Sequence, residues 1–154
     1  MIKRFFKFPA VVCGLLMASS AWAEPYPMTA EDFKLPGTQP LSIEATFATP
    51  DTCTNCHAEY GSPEVEPFRN WQGSMMAQSG RDPLMWAALA IANQDVDHSG
   101  ETCLRCHLPK GWLEGRSVPE DGTSMTAPDR HGVQCSVCHR LVDPEISALT
   151  SAED

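Results

Sequence analysis

The chain has 154 residues, 42% of them hydrophobic, and carries 11 Lys and Arg against 20 Asp and Glu, a formal net charge of −9. That length is enough for one compact domain with a modest core, and a second domain is not expected. An acidic balance with no basic run excludes nucleic acid and anionic membrane surfaces as natural partners and leaves cationic proteins or surfaces, although acidity is equally what keeps an exported protein in solution.

Residues 1–23 (MIKRFFKFPAVVCGLLMASSAWA) place Lys3, Arg4 and Lys7 ahead of an apolar run and end in A-W-A. This pattern predicts a secretory signal peptide cut before Glu24. The run from Phe8 to Ala18 is shorter than the roughly 20 residues a membrane span needs, and no later stretch spans either. Val12 stands ahead of Cys13 where a lipoprotein signal has a small residue. A periplasmic or extracellular location is expected. The remaining 131 residues hold 8 Lys and Arg and 20 Asp and Glu, a net charge of −12.

Residues 24–50 contain five prolines and little periodicity, and read as an extended leader draped over the first motif of the domain that follows at 51–144. Phe68, Trp71 and Met75 recur at helical spacing before Gly80, which predicts a helix from about Glu64 to Ser79. Asp82 as N-cap and Pro83 at the first helical position predict a second helix to about Asn93, with Leu84, Ala87, Ala88 and Ile91 as its apolar positions. Gly115 to Gly132 is dense in Gly, Pro, Asp and Ser and reads as loop. Residues 145–154 read as an unstructured tail or a truncation point. Strand signals are nearly absent, so the expected class is mostly α with extensive irregular loops.

After cleavage six cysteines remain, and all lie in C-x-x-C-H motifs: CTNCH (Cys53, Cys56, His57), CLRCH (Cys103, Cys106, His107) and CSVCH (Cys135, Cys138, His139). This is the attachment signature of c-type haem, in which two thiols form thioethers and the adjoining imidazole binds iron. Short helical turns are expected to carry the motifs, with Gly111 closing the one around His107. Zinc takes Cys and His ligands but gives a histidine after every pair no role. Redox C-x-x-C chemistry needs one active pair on a βαβ unit, and cysteines two residues apart brace a disulfide scaffold poorly. The reading is therefore three covalently bound haems c. About 44 residues then serve each haem, so the macrocycles form much of the core, with Phe68, Trp71, Trp86 and Trp112 packed on them and on the helices between them.

The chain has five histidines. Three are proximal, which leaves His98 and His131 as distal candidates for three irons. His98 lies nine residues before His107 and His131 eight before His139, so each is expected to serve a haem other than the one attached beside it. The alternative for either is an ordinary surface histidine. The third distal position goes to methionine, another group, water or an outside ligand. Met75 and Met76 differ by about 100° on a helix; Met75 continues the Phe68/Trp71 ridge and reads as packing, and Met76 is the candidate ligand. Thioether ligation would raise that iron's potential.

The three motifs and the W-x-x-S segment at Trp71 to Ser74 resemble the multihaem cytochrome c superfamily, which includes multihaem nitrite reductase, hydroxylamine oxidoreductase and tetrathionate reductase together with tetrahaem electron carriers. The resemblance runs from about Asp51 to Pro144 and implies a compact fold organised around the haems. Relatives often place a distal histidine two residues after that serine, where this chain has Met76. Catalytic relatives often replace the proximal histidine with lysine, and no C-x-x-C-K attachment motif is present here. The resemblance thus implies an electron carrier working between redox partner proteins. The alternative is the N-terminal part of a larger multihaem enzyme or assembly acting on a small nitrogen or sulfur compound, where a further segment supplies the third ligand. A sensor would need a signalling domain.

Overall fold

The computed structural model describes residues 24–43 and 47–141; the expected signal peptide, the last residues of the expected domain and the tail lie outside them. Among the described residues seven helices follow in order: α1 (Thr54–His57), α2 (Pro67–Gln72), α3 (Met75–Gln78), α4 (Pro83–Asp95), α5 (Gly100–His107), α6 (Pro109–Leu113) and α7 (Cys135–His139). Single 3-10 turns lie at Ala30–Phe33, Pro50–Cys53, Pro63–Val65 and Asp129–His131. No strand occurs among the described residues, where the sole β pairing is the isolated bridge of Tyr26 with Val96. The molecule is mostly α with irregular loops.

Local chemistry explains the short helices. Glu66, ahead of Pro67, is held extended, as the proline ring disfavours helical geometry in the preceding residue. The expected continuous helix from Glu64 to Ser79 is broken at Gly73–Ser74. Ser74 is extended, and its hydroxyl accepts from the Ala77 N–H at 3.3 Å, so it starts a new helix as an N-cap. Asp82 caps α4 by accepting from the Leu84 N–H at 2.9 Å, and Pro83 opens it as expected. The helix runs two residues beyond Asn93, to Asp95.

The protein core consists of Met85, Leu89, Leu104, Leu108, Trp112 and Met125, with Trp86, Cys103 and Leu113 packed against it. It joins α4, α5, α6 and the loop after α6. The buried stripe of α4 is therefore Met85 and Leu89, while Leu84 and Ile91 are exposed. The segment PLMWAALAIA is apolar all round, so its periodicity cannot select a face. Trp86 and Trp112 likewise belong to this protein core. Gly111 does not close α5: α5 ends at His107, and Gly111 is buried inside α6, where a side chain would meet Met125 and Asp129.

The leader residues Tyr26, Pro36 and Leu41 bond to the second motif's side of the molecule. The Tyr26 N–H donates to the Asp95 carbonyl and the Leu41 N–H to the Leu113 carbonyl. Arg105 on α5 donates to the Pro36 carbonyl at 2.9 Å. The loop after α6 is fastened by Asp129, fully buried, whose carboxylate accepts twice from Arg116 at 2.8 and 2.6 Å and from the N–H and hydroxyl of Thr126. Burial pushes the Asp129 carboxyl up, but these partners more than offset it and hold it below the ordinary carboxylate range.

Candidate functional site

All three C-x-x-C-H helices end on the motif histidine: α1 at His57, α5 at His107 and α7 at His139. A helical turn puts both cysteine sulfurs on one side of the chain and releases the imidazole at its end. Each helix is held differently. α1 follows directly from the Pro50–Cys53 turn, and the Tyr60 hydroxyl lies on the Cys56 carbonyl and 3.3 Å from His57 Nδ1. α5 is anchored in the core by Leu104, and its His107 carbonyl accepts from the Ser79 hydroxyl at 2.9 Å. α7 follows buried Gln134, whose amide donates to the Pro128 carbonyl at 2.6 Å, and the Ser136 hydroxyl donates to the Ala48 carbonyl at 3.0 Å.

Two clefts open against these helices. One, of about 570 Å³, takes Cys53 and His57 from the first motif and Cys135, Cys138 and His139 from the third, with Phe68, Trp71 and Val133 among its walls. Cys53 and Cys135 meet there: burial first, and then the neighbouring Cys53, push the Cys135 thiol up. The other cleft, of about 520 Å³, takes Cys106 and His107 from the second motif, with Met75, Ser79, Arg81 and Pro83 around it. Met76 and Val133 line both. The Val133 N–H donates to the Met76 carbonyl at 2.9 Å, and Gly132, at φ +69°, lets the chain pass close against that carbonyl. The paired thiols, the imidazoles and the apolar walls fit covalently held haem. Among the described residues, no three His, Cys, Asp or Glu side chains converge to hold a bare metal ion.

A family model described as cytochrome c554 and c-prime matches residues 52–140. The chain belongs to this family. It is therefore a c-type cytochrome of electron transfer with covalently bound haem c. Neither the comparison with curated proteins nor that with solved structures gives a match. No helix among the described residues is long and apolar enough to cross a membrane.

Within this c554 and c-prime frame the spare ligands of the sequence are unevenly placed. Met76, half exposed at 50%, lies where the two clefts adjoin. Met75 is 89% exposed and lines the second cleft beside Met76; the break at Ser74 separates it from the ridge of Phe68 and Trp71. His131 stands on the Asp129–His131 turn, which packs on α3, and its Nδ1 is buried without a hydrogen-bond partner. The same holds for His107 Nδ1. His98 is not among the residues lining either cleft; its Nδ1 pairs with Glu120 Oε1 at 2.7 Å.

Sequence reasoning misses Val133, Tyr60 and Glu120. Val133 sits two residues ahead of Cys135, where the extended Gln134 turns it onto both clefts. Tyr60 carries a local signal, being three residues past His57 on the same short turn. Glu120 carries none, since its partner lies 22 residues away.

Proposed function

We propose that the chain is an exported triheme carrier that passes electrons between redox partner proteins in the periplasm or outside the cell. The observation that supports this best is that three C-x-x-C-H helices face two adjoining clefts with common walls at Met76 and Val133. Haem supplies the one-electron couple when bound. In this reading Cys53 with Cys56, Cys103 with Cys106, and Cys135 with Cys138 hold it covalently, and His57, His107 and His139 are the proximal ligands. His98 and His131 are distal ligands, and Met76 is the third.

Phe68 and Trp71 exclude water from the shared cleft, so the first and third sites act as a close pair and the second adjoins them across Met76. The net charge of −12 that follows removal of residues 1–23 favours basic partners. Purified holoprotein should contain three haems per chain and titrate as three one-electron couples; fewer haems would sink the reading. Met76→Ala should remove the near-infrared band of methionine-ligated iron and lower one potential. An unchanged spectrum would make Met76 only a wall.

A second reading, the N-terminal part of a larger multihaem reductase or oxidoreductase acting on a small nitrogen or sulfur compound, is favoured by one observation. Neither His98 nor His131 is among the residues lining the cleft of His107, while both exposed methionines are. A high-spin band with rapid binding of carbon monoxide or nitrite to one haem selects this reading; uniformly low-spin haem selects the carrier.

A further inference from the structure

The outer face of α4 carries apolar side chains that the fold leaves uncovered. Leu84, Ala87, Ala88 and Ile91 recur at helical spacing on one side, and all four are exposed, Leu84 at 77% and Ile91 at 59%. Over the seven residues from Leu84 to Ile91 that face is about 10 Å long. The opposite side is fixed. Met85 and Leu89 enter the core, and the Trp86 indole, under the Arg130 guanidinium, donates to the Gly80 carbonyl at 3.1 Å. The Asn93 amide donates to the Glu120 carbonyl at 2.9 Å. The exposed face is thus a rigid surface, held from behind along its length.

Its position and charge indicate what it meets. Pro83, the first residue of α4, and Met75 are exposed and line the cleft that takes Cys106 and His107, so the apolar face begins at the mouth of that cleft. Residues 82–104 contain four carboxylates, Asp82, Asp95, Asp97 and Glu101, and no Lys or Arg. Arg81, just ahead of them, turns its guanidinium onto the Ala77 carbonyl at 3.1 Å. Asp95 and Asp97 follow the apolar positions at the far end of the helix, where the backbone of exposed Tyr26 bonds to both. The apolar centre therefore has an acidic margin. A second copy would bring the same carboxylates, and a stripe of four side chains falls short of the roughly 800 Å² per partner that a stable interface buries. Transient redox encounters need less area, and a cationic margin on the partner complements the acidic one.

We propose that the Leu84 to Ile91 face of α4 is the docking surface for a cationic redox protein, one that presents a small apolar patch ringed by Lys and Arg. This rests on the carrier reading and gives it a place of exchange, beside the cleft of His107. One electron passes from the reduced carrier to the oxidised partner, and no bond is made or broken.

The test uses reduced holoprotein, with an oxidised basic single-haem cytochrome c as the probe and ferricyanide as a small acceptor that needs no docking face. The double variant Leu84→Ser with Ile91→Ser should lower the second-order rate to the basic cytochrome by about five- to tenfold at low salt, the loss of two apolar contacts. Its ferricyanide rate, haem content and midpoint potentials should stay at wild-type values. Ile91→Lys should lower the rate to the basic cytochrome as well, by a deficit that shrinks as ionic strength rises. Val65→Ser, at an exposed apolar residue on the Pro63–Val65 turn, should leave it unchanged. If the serine and lysine variants transfer at the wild-type rate, α4 is not the docking surface and the carrier reading stands. If wild type reduces ferricyanide but not the basic cytochrome, the cationic partner is wrong and the proposal falls alone. If it reduces neither, the carrier reading falls and this inference with it. A wild type that sediments as a dimer, beside an Ile91→Lys variant that sediments as a monomer, would give the face to a second copy and overturn the proposal.

Discussion

The two clefts are built by different means. The second motif sits on α5, eight residues long, whose Leu104 enters a protein core shared with α4 and α6. The first and third motifs sit on α1 and α7, of four and five residues, neither of which contains a buried residue. Helices that short are not stable by themselves, and among the described residues no hydrophobic cluster comparable to that of α4–α6 lies behind them. One region thus folds on its own side chains. In the proposed reading the other is completed by the haem its motifs hold, as metal-dependent domains are completed by their metal.

The largest test of this contrast is chain produced without haem attachment. Its slow-exchanging amides should be confined to α4, α5 and α6, with α1 and α7 exchanging freely; equal protection in α1 and α5 would break the comparison. Next is Asp129→Ala, which leaves Arg116 with Glu114 alone and takes the acceptor from the Thr126 N–H and hydroxyl. Removing one partner of a fully buried pair costs about 3–5 kcal/mol, and the retained Glu114 partner keeps the loss below that, to be read as a lower denaturant midpoint. The pH dependence follows from the same carboxylate. Because its folded pKa lies below the unfolded one, its contribution is complete above the ordinary carboxylate range and disappears as pH falls through that range and then through the lowered value. Wild type should therefore lose more stability than the alanine variant on acidification below about pH 4.

Leu104→Ala should cost about 2–5 kcal/mol and loosen the His107 side, while leaving the shared cleft's spectrum in place. Gly132→Ala should cost at least about 1–3 kcal/mol for a backbone conformation that is nearly glycine's alone, with a displacement of Met76 in addition, because the new Cβ runs into its carbonyl. Leu84→Ala, at a residue 77% exposed, should change stability by less than about 0.5 kcal/mol; a larger loss would mean that the α4 face is covered.

Much of this is local and therefore legible in the sequence. Asp82 and Pro83 announce α4, the loop composition of Gly115 to Gly132 announces itself, and the motif histidines close their helices as the attachment signature requires. The failures are of two physical kinds. Where a segment is apolar all round, as in α4, no period can select Met85 and Leu89 over Leu84 and Ile91. Where a serine competes for a backbone N–H, as Ser74 does, an apparent ridge from Phe68 to Met75 is cut, and Met75 passes from expected packing to exposure. The meeting of the first and third motifs, and of His98 with Glu120, depends on contacts between residues far apart in the chain. Spacing within a motif carries no information about these.

Cys53 and Cys135 stand side by side although 82 positions separate them in the chain. Closing so long a loop is entropically costly, by an amount that grows with the logarithm of its length, and contacts of this separation form slowly. Once α4, α5 and α6 have packed, the stretch from Pro83 to Leu113 no longer counts as free chain, and the loop left to close is shorter. The entropic cost of bringing Cys53 to Cys135 is then lower than it is for the fully unfolded chain.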